Sequence, residues 1–178
     1  MRATLAVLLL VAGGASAADT TLAEAARNDD VAAAARLIHQ KVDVNAPDTR
    51  GFTPLILAAY NGSPGVLKLL LEAGADVHAV DKTGANALMG ASFKGFIPIA
   101  EMLLAKGARP NDRNLIGATA LMFAAMSGKE EVVKLLLKAG ADAGLSDQRG
   151  ISAALLARQQ GNEALAERLD QASKDKKH

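Results

Sequence analysis

The stretch DTRGFTPLILAAYNGSPGVLKLLLEAGADVHAV, residues 48–80, repeats along the chain with a period of 33 residues. Its glycines mark the period, because each one recurs at the same place in later units. A fixed period of this length predicts a stack of similar supersecondary units, since one unit cannot bury its apolar face without a neighbour. The recurring columns are Gly51, Gly84, Gly117 and Gly150; Gly62, Gly95, Gly128 and Gly161; and Gly74, Gly107 and Gly140.

Each unit carries the start and stop signals of two helices. Thr53 offers a side-chain oxygen as an N-cap, and Pro54 follows at the first helical position, where its missing N–H does no harm. Gly62 is suited to a left-handed helix end, and a second, leucine-rich helix ends at Gly74. The following residues predict an extended arm that returns to a turn at 81–84. The unit is therefore expected to read helix, helix, turn.

The motifs TPLILAA, residues 53–59, and LLLEAGADV, residues 69–77, together with the period of 33, resemble the ankyrin repeat. The resemblance implies an all-α solenoid of helix-turn-helix units joined by β-turn arms, with a capping repeat at each end. Residues 18–178 are expected to form this single domain. Its parts are an amino-terminal cap at 19–47, full repeats at 48–80, 81–113 and 114–146, a carboxy-terminal cap at 147–172 and a disordered tail at 173–178.

The two caps depart from the pattern of the full units. Asp29 and Lys41 stand where the next unit has Gly62 and Gly74. Because a residue other than glycine pays roughly 1–2 kcal/mol in the left-handed region, the second helix of the amino-terminal cap is expected to end differently. At the other end, Arg158 occupies a column that holds alanine in earlier units, and a charge there predicts that the stack ends.

Gly90 lies inside a predicted first helix, in the column of Leu57 and Phe123. A glycine within a helix costs roughly 0.5–1 kcal/mol relative to alanine, so a compensating neighbour is expected. We predict that the ring of Phe123 fills the space above Gly90.

The amino terminus has the features of a secretory signal peptide at residues 1–17. Arg2 is followed by an apolar run at 3–12 and by the small residues Ala15, Ser16 and Ala17. The run is shorter than the roughly 20 residues that span a bilayer, so we predict cleavage after Ala17 or its neighbour Ala18, export to the periplasm and no membrane insertion afterwards. The chain has 20 basic and 19 acidic residues, and loss of Arg2 balances them. Nothing in that charge favours nucleic-acid binding.

Motifs for catalysis or cofactor binding are missing from the sequence. There is no cysteine, and the three histidines lie in different units or in the tail rather than at the spacing of a metal pair. No glycine-rich phosphate-binding string occurs. We therefore expect no metal site, no cofactor and no enzymatic activity.

The expected function is binding of a partner protein. In the ankyrin repeat family, partners contact the turn tips and the exposed side of the first helices on the concave face, so the resemblance points to the apolar residues of those columns. Such a cluster is typical of a contact site. The predicted partner-binding residues are Phe52, Tyr60, Phe93, Leu115, Ile116 and Met126.

Two roles remain open for such a protein, which we expect to be a monomer. It resembles the small exported bacterial ankyrin repeat proteins, some of which are associated with catalase and peroxide resistance, so a supporting module in periplasmic oxidative-stress defence is one role. The alternative is an immunity or inhibitor protein that blocks an exported toxic enzyme. The sequence does not name the partner.

Overall fold

A computed structural model of the chain describes residues 20–175, and the predicted signal peptide lies outside them. This part of the chain is all-helical, with isolated β-bridges between Val80 and Asn86 and between Ser146 and Ser152. The helices in chain order are α1 Leu22–Asn28, α2 Val31–His39, α3 Pro54–Asn61, α4 Pro64–Glu72, α5 Ala87–Lys94, α6 Ile97–Ala105, α7 Ala120–Met126, α8 Glu130–Lys138, α9 Ala153–Gln159 and α10 Glu163–Asp175.

The helices are arranged as successive pairs that stack side by side. The first helices of the pairs, α1, α3, α5, α7 and α9, each pack against the next first helix along the chain. The second helices α2, α4, α6 and α8 form a parallel row behind them. This arrangement confirms the predicted all-α solenoid. None of the helices within residues 20–175 combines the length and apolar character that a membrane crossing requires.

The predicted helix signals act where the sequence places them. The hydroxyl of Thr53 accepts a hydrogen bond from the N–H of Ile56 at 3.3 Å, and Pro54 is the first residue of α3. Asn86 and Thr119 cap α5 and α7 in the same way. These caps satisfy N–H groups that would otherwise lack a partner at the start of each helix.

All eleven glycines in the three periodic columns have positive φ angles, between 63° and 92°. The prediction that the second helix of the amino-terminal cap ends differently was wrong, since Lys41 adopts this conformation with φ of 60°, and Asp29 adopts it after the first helix with φ of 51°. Asp29 gains a compensating bond, because its carboxylate accepts the N–H of Val66 at 2.8 Å. Directly after Lys41, the N–H of Val42 donates a hydrogen bond to the carbonyl of Leu37. The second helix of the next unit ends with the equivalent hydrogen bond. These bonds offset the backbone cost.

The core consists of two periodic columns, one of leucine and one of alanine. The leucines lie between the two rows of helices and are fully buried, and the alanines let the first helices approach closely. The leucine column is Leu70, Leu103, Leu136 and Leu169; the alanine column is Ala25, Ala58, Ala91, Ala124 and Ala157.

The carboxy-terminal cap ends in an ion-paired surface. Arg158, in the column of Ala59 and Ala125, is exposed and lies 3.1 Å from Glu163 and 2.5 Å from Asp170, both on α10. The hydrogen bonds to Asp170 and Glu163 raise the pKa of Arg158. Helix α10 extends through Asp175 and so includes residues 173–175 of the predicted disordered tail, whereas residues 176–178 lie outside the described part of the chain.

Candidate partner-binding groove

A groove of about 580 Å³ runs between the first helices and the turn arms of the central units. We call it the central groove. Its floor comes from α3 and α5, one end from α7, and its opposite wall from the arms that precede α3 and α5. The lining residues are Arg27, Arg50, Phe52, Ile56, Leu57, Tyr60, Asn61, Asp81, Ala85, Asn86, Met89, Gly90, Phe93 and Phe123.

Three rings from successive first helices line the central groove, and we call them the aromatic row: Tyr60, Phe93 and Phe123. The Tyr60 and Phe93 ring centroids are 6.4 Å apart with nearly parallel planes, and the Phe93 and Phe123 centroids are 6.5 Å apart at an angle of 86°. Both separations fall in the range of favourable aromatic pairs. Tyr60 keeps 44% of its surface exposed, and the two phenylalanines are half-buried. The row therefore presents aromatic surface to the solvent.

Gly90 gives the central groove its depth. A Cβ placed on Gly90 would first meet the Cβ of Tyr60, at 3.5 Å, which is ordinary van der Waals contact. The prediction that Phe123 fills the space above Gly90 was therefore wrong, because Tyr60 lies nearest to it. The absent side chain leaves an open floor between Tyr60 and Phe93.

Phe52 lies on the opposite wall of the groove, in the arm before α3. The guanidinium of Arg50 lies 5.2 Å from the centroid of its ring, within the distance of a cation–π interaction. The Arg50 side chain is 64% exposed. This wall thus offers an apolar ring with a charged group above it.

A carboxylate organises the same arm from beneath. Asp48 accepts the N–H groups of Arg50 and Phe52 at 2.9 and 3.0 Å, and its side chain pairs with Arg27. Burial raises the pKa of Asp48, but these backbone hydrogen bonds and the two arginines outweigh that effect and leave the pKa below its usual value. Asp81 stabilises the next arm by the same backbone contacts, because its carboxylate accepts the N–H groups of Thr83 and Ala85.

A second exposed cation lies at the other side of the aromatic row. The ammonium of Lys94 lies 4.6 Å from the centroid of the Tyr60 ring. Lys82 extends between two arms, where its ammonium is 3.3 Å from the carbonyl oxygen of Thr49. Each lysine thus contacts a residue of the preceding unit, and Lys94 places positive charge beside Tyr60 at the margin of the groove.

The structure divides the predicted site residues into two groups. Phe52, Tyr60 and Phe93 line the central groove, whereas Met126 is half-buried at the end of α7 and does not line it. Leu115 and Ile116 form a separate tip and are 66% and 51% exposed. That tip is fixed by backbone bonds from the Leu115 N–H to Thr83 and from the Gln148 N–H to Ile116.

Phe123 is the aromatic lining residue that sequence reasoning missed. It shares a column with Leu57, which is buried, and the column alone indicated an interior position. Phe123 meets the edge of the Phe93 ring on the preceding first helix, a contact that the column of Leu57 did not indicate.

A larger concavity of about 830 Å³ lies at the amino-terminal end, between α1 and the loop that leads to the arm before α3. It has no aromatic side chain, and its wall includes Thr20, the first residue that the structure describes. The central groove is the better candidate because its lining comes from four successive units and includes four aromatic rings.

The central groove is lined mainly by apolar and aromatic side chains. The lining of the central groove contains no histidine, serine, threonine or cysteine. Across residues 20–175, no three histidine or acidic side chains are grouped so as to hold a metal ion. The groove offers an apolar surface, aromatic edges and cations, which suit recognition of another molecule's side chains.

Comparison with known proteins identifies a family. A family model described as "Ankyrin repeats (3 copies)" matches residues 4–81, 22–114 and 88–177, which together cover most of the chain. The first match begins inside the predicted signal peptide. No curated protein matches the chain.

Proposed function

The chain belongs to the ankyrin repeat family, and on that premise we propose that it is a protein-interaction module that holds its partner in the central groove. The observation that carries the proposal is the aromatic row, which exposes Tyr60 beside two half-buried phenylalanines. Aromatic anchors at the middle of an interface supply much of its binding energy. Proteins of this family are typically interaction modules rather than enzymes.

The proposal can be tested by a substitution that fills the groove without removing a contact. Gly90→Leu adds a side chain where a Cβ has room beside Tyr60, and leucine favours a helix more than glycine does. Immobilised wild type is expected to retain a specific protein from a periplasmic extract, identified by mass spectrometry, and Gly90→Leu is expected to lose it. Ala164→Leu, an equal enlargement at an exposed site on α10, is the control and should retain it. Equal retention by all three proteins would contradict the proposal.

We further propose that the mature chain acts in the periplasm. The basic start, apolar run and small residues before Ala18 support export. Amino-terminal sequencing of the native protein is expected to begin at Ala18 or Asp19. A soluble cytoplasmic form that retains Met1 or Arg2 would contradict this part of the proposal.

Support of oxidative-stress defence and inhibition of a toxic enzyme differ in their effect on the captured partner. A supporting module leaves the activity of its partner intact, whereas an inhibitor abolishes it at stoichiometric amounts. We favour the supporting role, on the resemblance to exported ankyrin repeat proteins that are associated with peroxide resistance. Assay of the captured partner with increasing amounts of this protein decides between them.

A further inference from the structure

Resting on the central groove as the partner site, we infer that its occupant is an acidic, extended segment of another protein that carries one large apolar side chain. The inference comes from the way charge and apolar surface are distributed around the groove. It concerns the chemistry of the partner, which the proposed function leaves open.

The cations of the groove are more available to a partner than its carboxylates. The Arg50 side chain is 64% exposed, whereas that of Asp48 is 11% exposed. Asp48 is occupied by two backbone N–H groups and by Arg27, and one oxygen of Asp81 accepts two N–H groups and the Thr83 hydroxyl. Asp48 and one oxygen of Asp81 are therefore engaged within the arms.

The exposed cations stand on opposite sides of the apolar floor. Arg50 lies over Phe52 on the arm wall, and Lys94 lies over Tyr60 on the helix wall. A cation that lies over a ring still has N–H groups that can donate to a carboxylate. A segment with acidic residues on both sides of its apolar anchor would meet a cation at each wall.

The dimensions of the floor suit one anchoring side chain on an extended chain. The aromatic row advances by two steps of 6.4 and 6.5 Å, a length that about four residues of extended chain cover. Gly90 adds no side chain to the floor beside Tyr60, so an apolar side chain of the segment would rest on the exposed faces and edges of the rings. Burial of that side chain provides affinity, and the flanking carboxylates provide selectivity.

Single-stranded nucleic acid also combines negative charge with groups that stack on rings. The charge of the whole chain disfavours it, because 20 basic and 19 acidic residues provide no continuous track for a phosphate backbone. An oligothymidylate therefore serves as a competing probe in the test.

Tyr60 makes the test selective, because it is the one tyrosine of a chain without tryptophan. Its fluorescence reports on the central groove alone. The probes are three synthetic capped peptides: Gly-Glu-Glu-Leu-Glu-Glu-Gly, the same peptide with lysine for each glutamate, and the same peptide with alanine for leucine. We expect the acidic leucine peptide to change Tyr60 fluorescence saturably and to bind at least about tenfold more tightly than the other two peptides and the oligothymidylate.

Charge-removing variants identify the cations responsible. The double variant Arg50→Gln, Lys94→Gln is expected to bind the acidic peptide about as weakly as the lysine peptide. The matched control Lys106→Gln, Lys138→Gln removes two exposed lysines at the ends of α6 and α8 and should bind like wild type. Raising the salt concentration should weaken binding to wild type and to the control, and to a smaller extent in the groove double variant.

The outcomes separate the two proposals. Preferential binding of the lysine peptide or the oligothymidylate, or equal binding of the acidic and lysine peptides, overturns the acidic partner but leaves the groove as a binding site. A Tyr60 signal that no peptide changes also overturns the acidic partner, while loss of capture by Gly90→Leu would still support the proposed function.

Discussion

A buried hydroxyl in α5 shows how single residues tune the stack. Ser92 is fully buried, its Oγ has no hydrogen-bond partner, and Ala59 and Ala125 occupy the same column in the neighbouring units. An unsatisfied buried hydroxyl costs about 1–3 kcal/mol. Ser92→Ala is therefore expected to raise the free energy of unfolding by about that amount, measured by denaturant titration.

The control for Ser92 is a serine whose hydroxyl is used. Ser152 accepts the N–H of Leu155 at 3.2 Å and caps α9. Ser152→Ala should lower stability by about 0.5–2 kcal/mol. Destabilisation by Ser92→Ala would show that its hydroxyl has a partner after all.

Predictions at the residue scale succeeded where a column has one environment in every unit. Thr53 caps α3 as predicted, and Asn86 and Thr119 in the same column cap α5 and α7, because each meets the same free N–H groups. The column of Phe123 is different, since Leu57 is buried while Phe123 is half-buried. Sequence periodicity does not encode such differences between neighbouring units.

The recurring element of the arms is a turn held by one acidic or amide side chain. Asp48, Asp81, Asn114 and Asp147 each accept the N–H groups two and four residues further along the chain. The turn position was predicted from its glycine, but the role of the carboxylate was not. That role depends on a turn that brings both of these N–H groups close to one side chain. The spacing of residues in the sequence did not reveal this turn geometry.

The turn carboxylates predict a loss of stability in acid. The hydrogen bond from the N–H of Ile151 is the largest influence on Asp147, and with the Arg149 contacts it outweighs desolvation and lowers the pKa of Asp147. Because the folded pKa is below the unfolded value of about 3.9, the stabilisation is present above that pH and is lost as the pH falls through the folded pKa.

Asp147→Asn tests this link with a residue that the fold already accepts at Asn114. The amide oxygen still accepts the backbone N–H groups but does not titrate there. The variant is expected to keep the fold and to show a smaller decrease in melting temperature between pH 5 and pH 2 than wild type. An identical pH dependence would mean that Asp147 does not contribute to acid sensitivity.

At the scale of the whole molecule, the leucine column connects the units. Leu103 is fully buried between α6 and its neighbours. Leu103→Ala is expected to cost roughly 2–5 kcal/mol, because it removes a buried side chain and leaves a cavity. Since each unit is stabilised by its neighbours, Tyr60 fluorescence and far-ultraviolet circular dichroism should report the same lowered melting temperature.

A transition seen by circular dichroism but not by Tyr60 would instead show that the units unfold separately. An unchanged melting temperature would contradict the interior position of Leu103.

The architecture of the molecule was predictable because one period governs every unit. The helix pairs, their caps and the left-handed glycines all follow from that period. The central groove was only half predictable. Phe52, Tyr60 and Phe93 line it, but Leu115, Ile116 and Met126 lie elsewhere, since equal columns are neighbours along the stack without sharing one concavity.

The central claim is that the aromatic row is a contact surface for a partner rather than part of the core. Phe93→Ala removes its middle ring, so capture of the partner should weaken by at least about thirtyfold, which corresponds to 2 kcal/mol or more. The melting temperature should fall less than in Leu103→Ala, because Phe93 is only half-buried. Leu155→Ala, which truncates a partly exposed leucine outside the groove, should capture normally. Unchanged capture by Phe93→Ala together with a sharp fall in melting temperature would contradict the account.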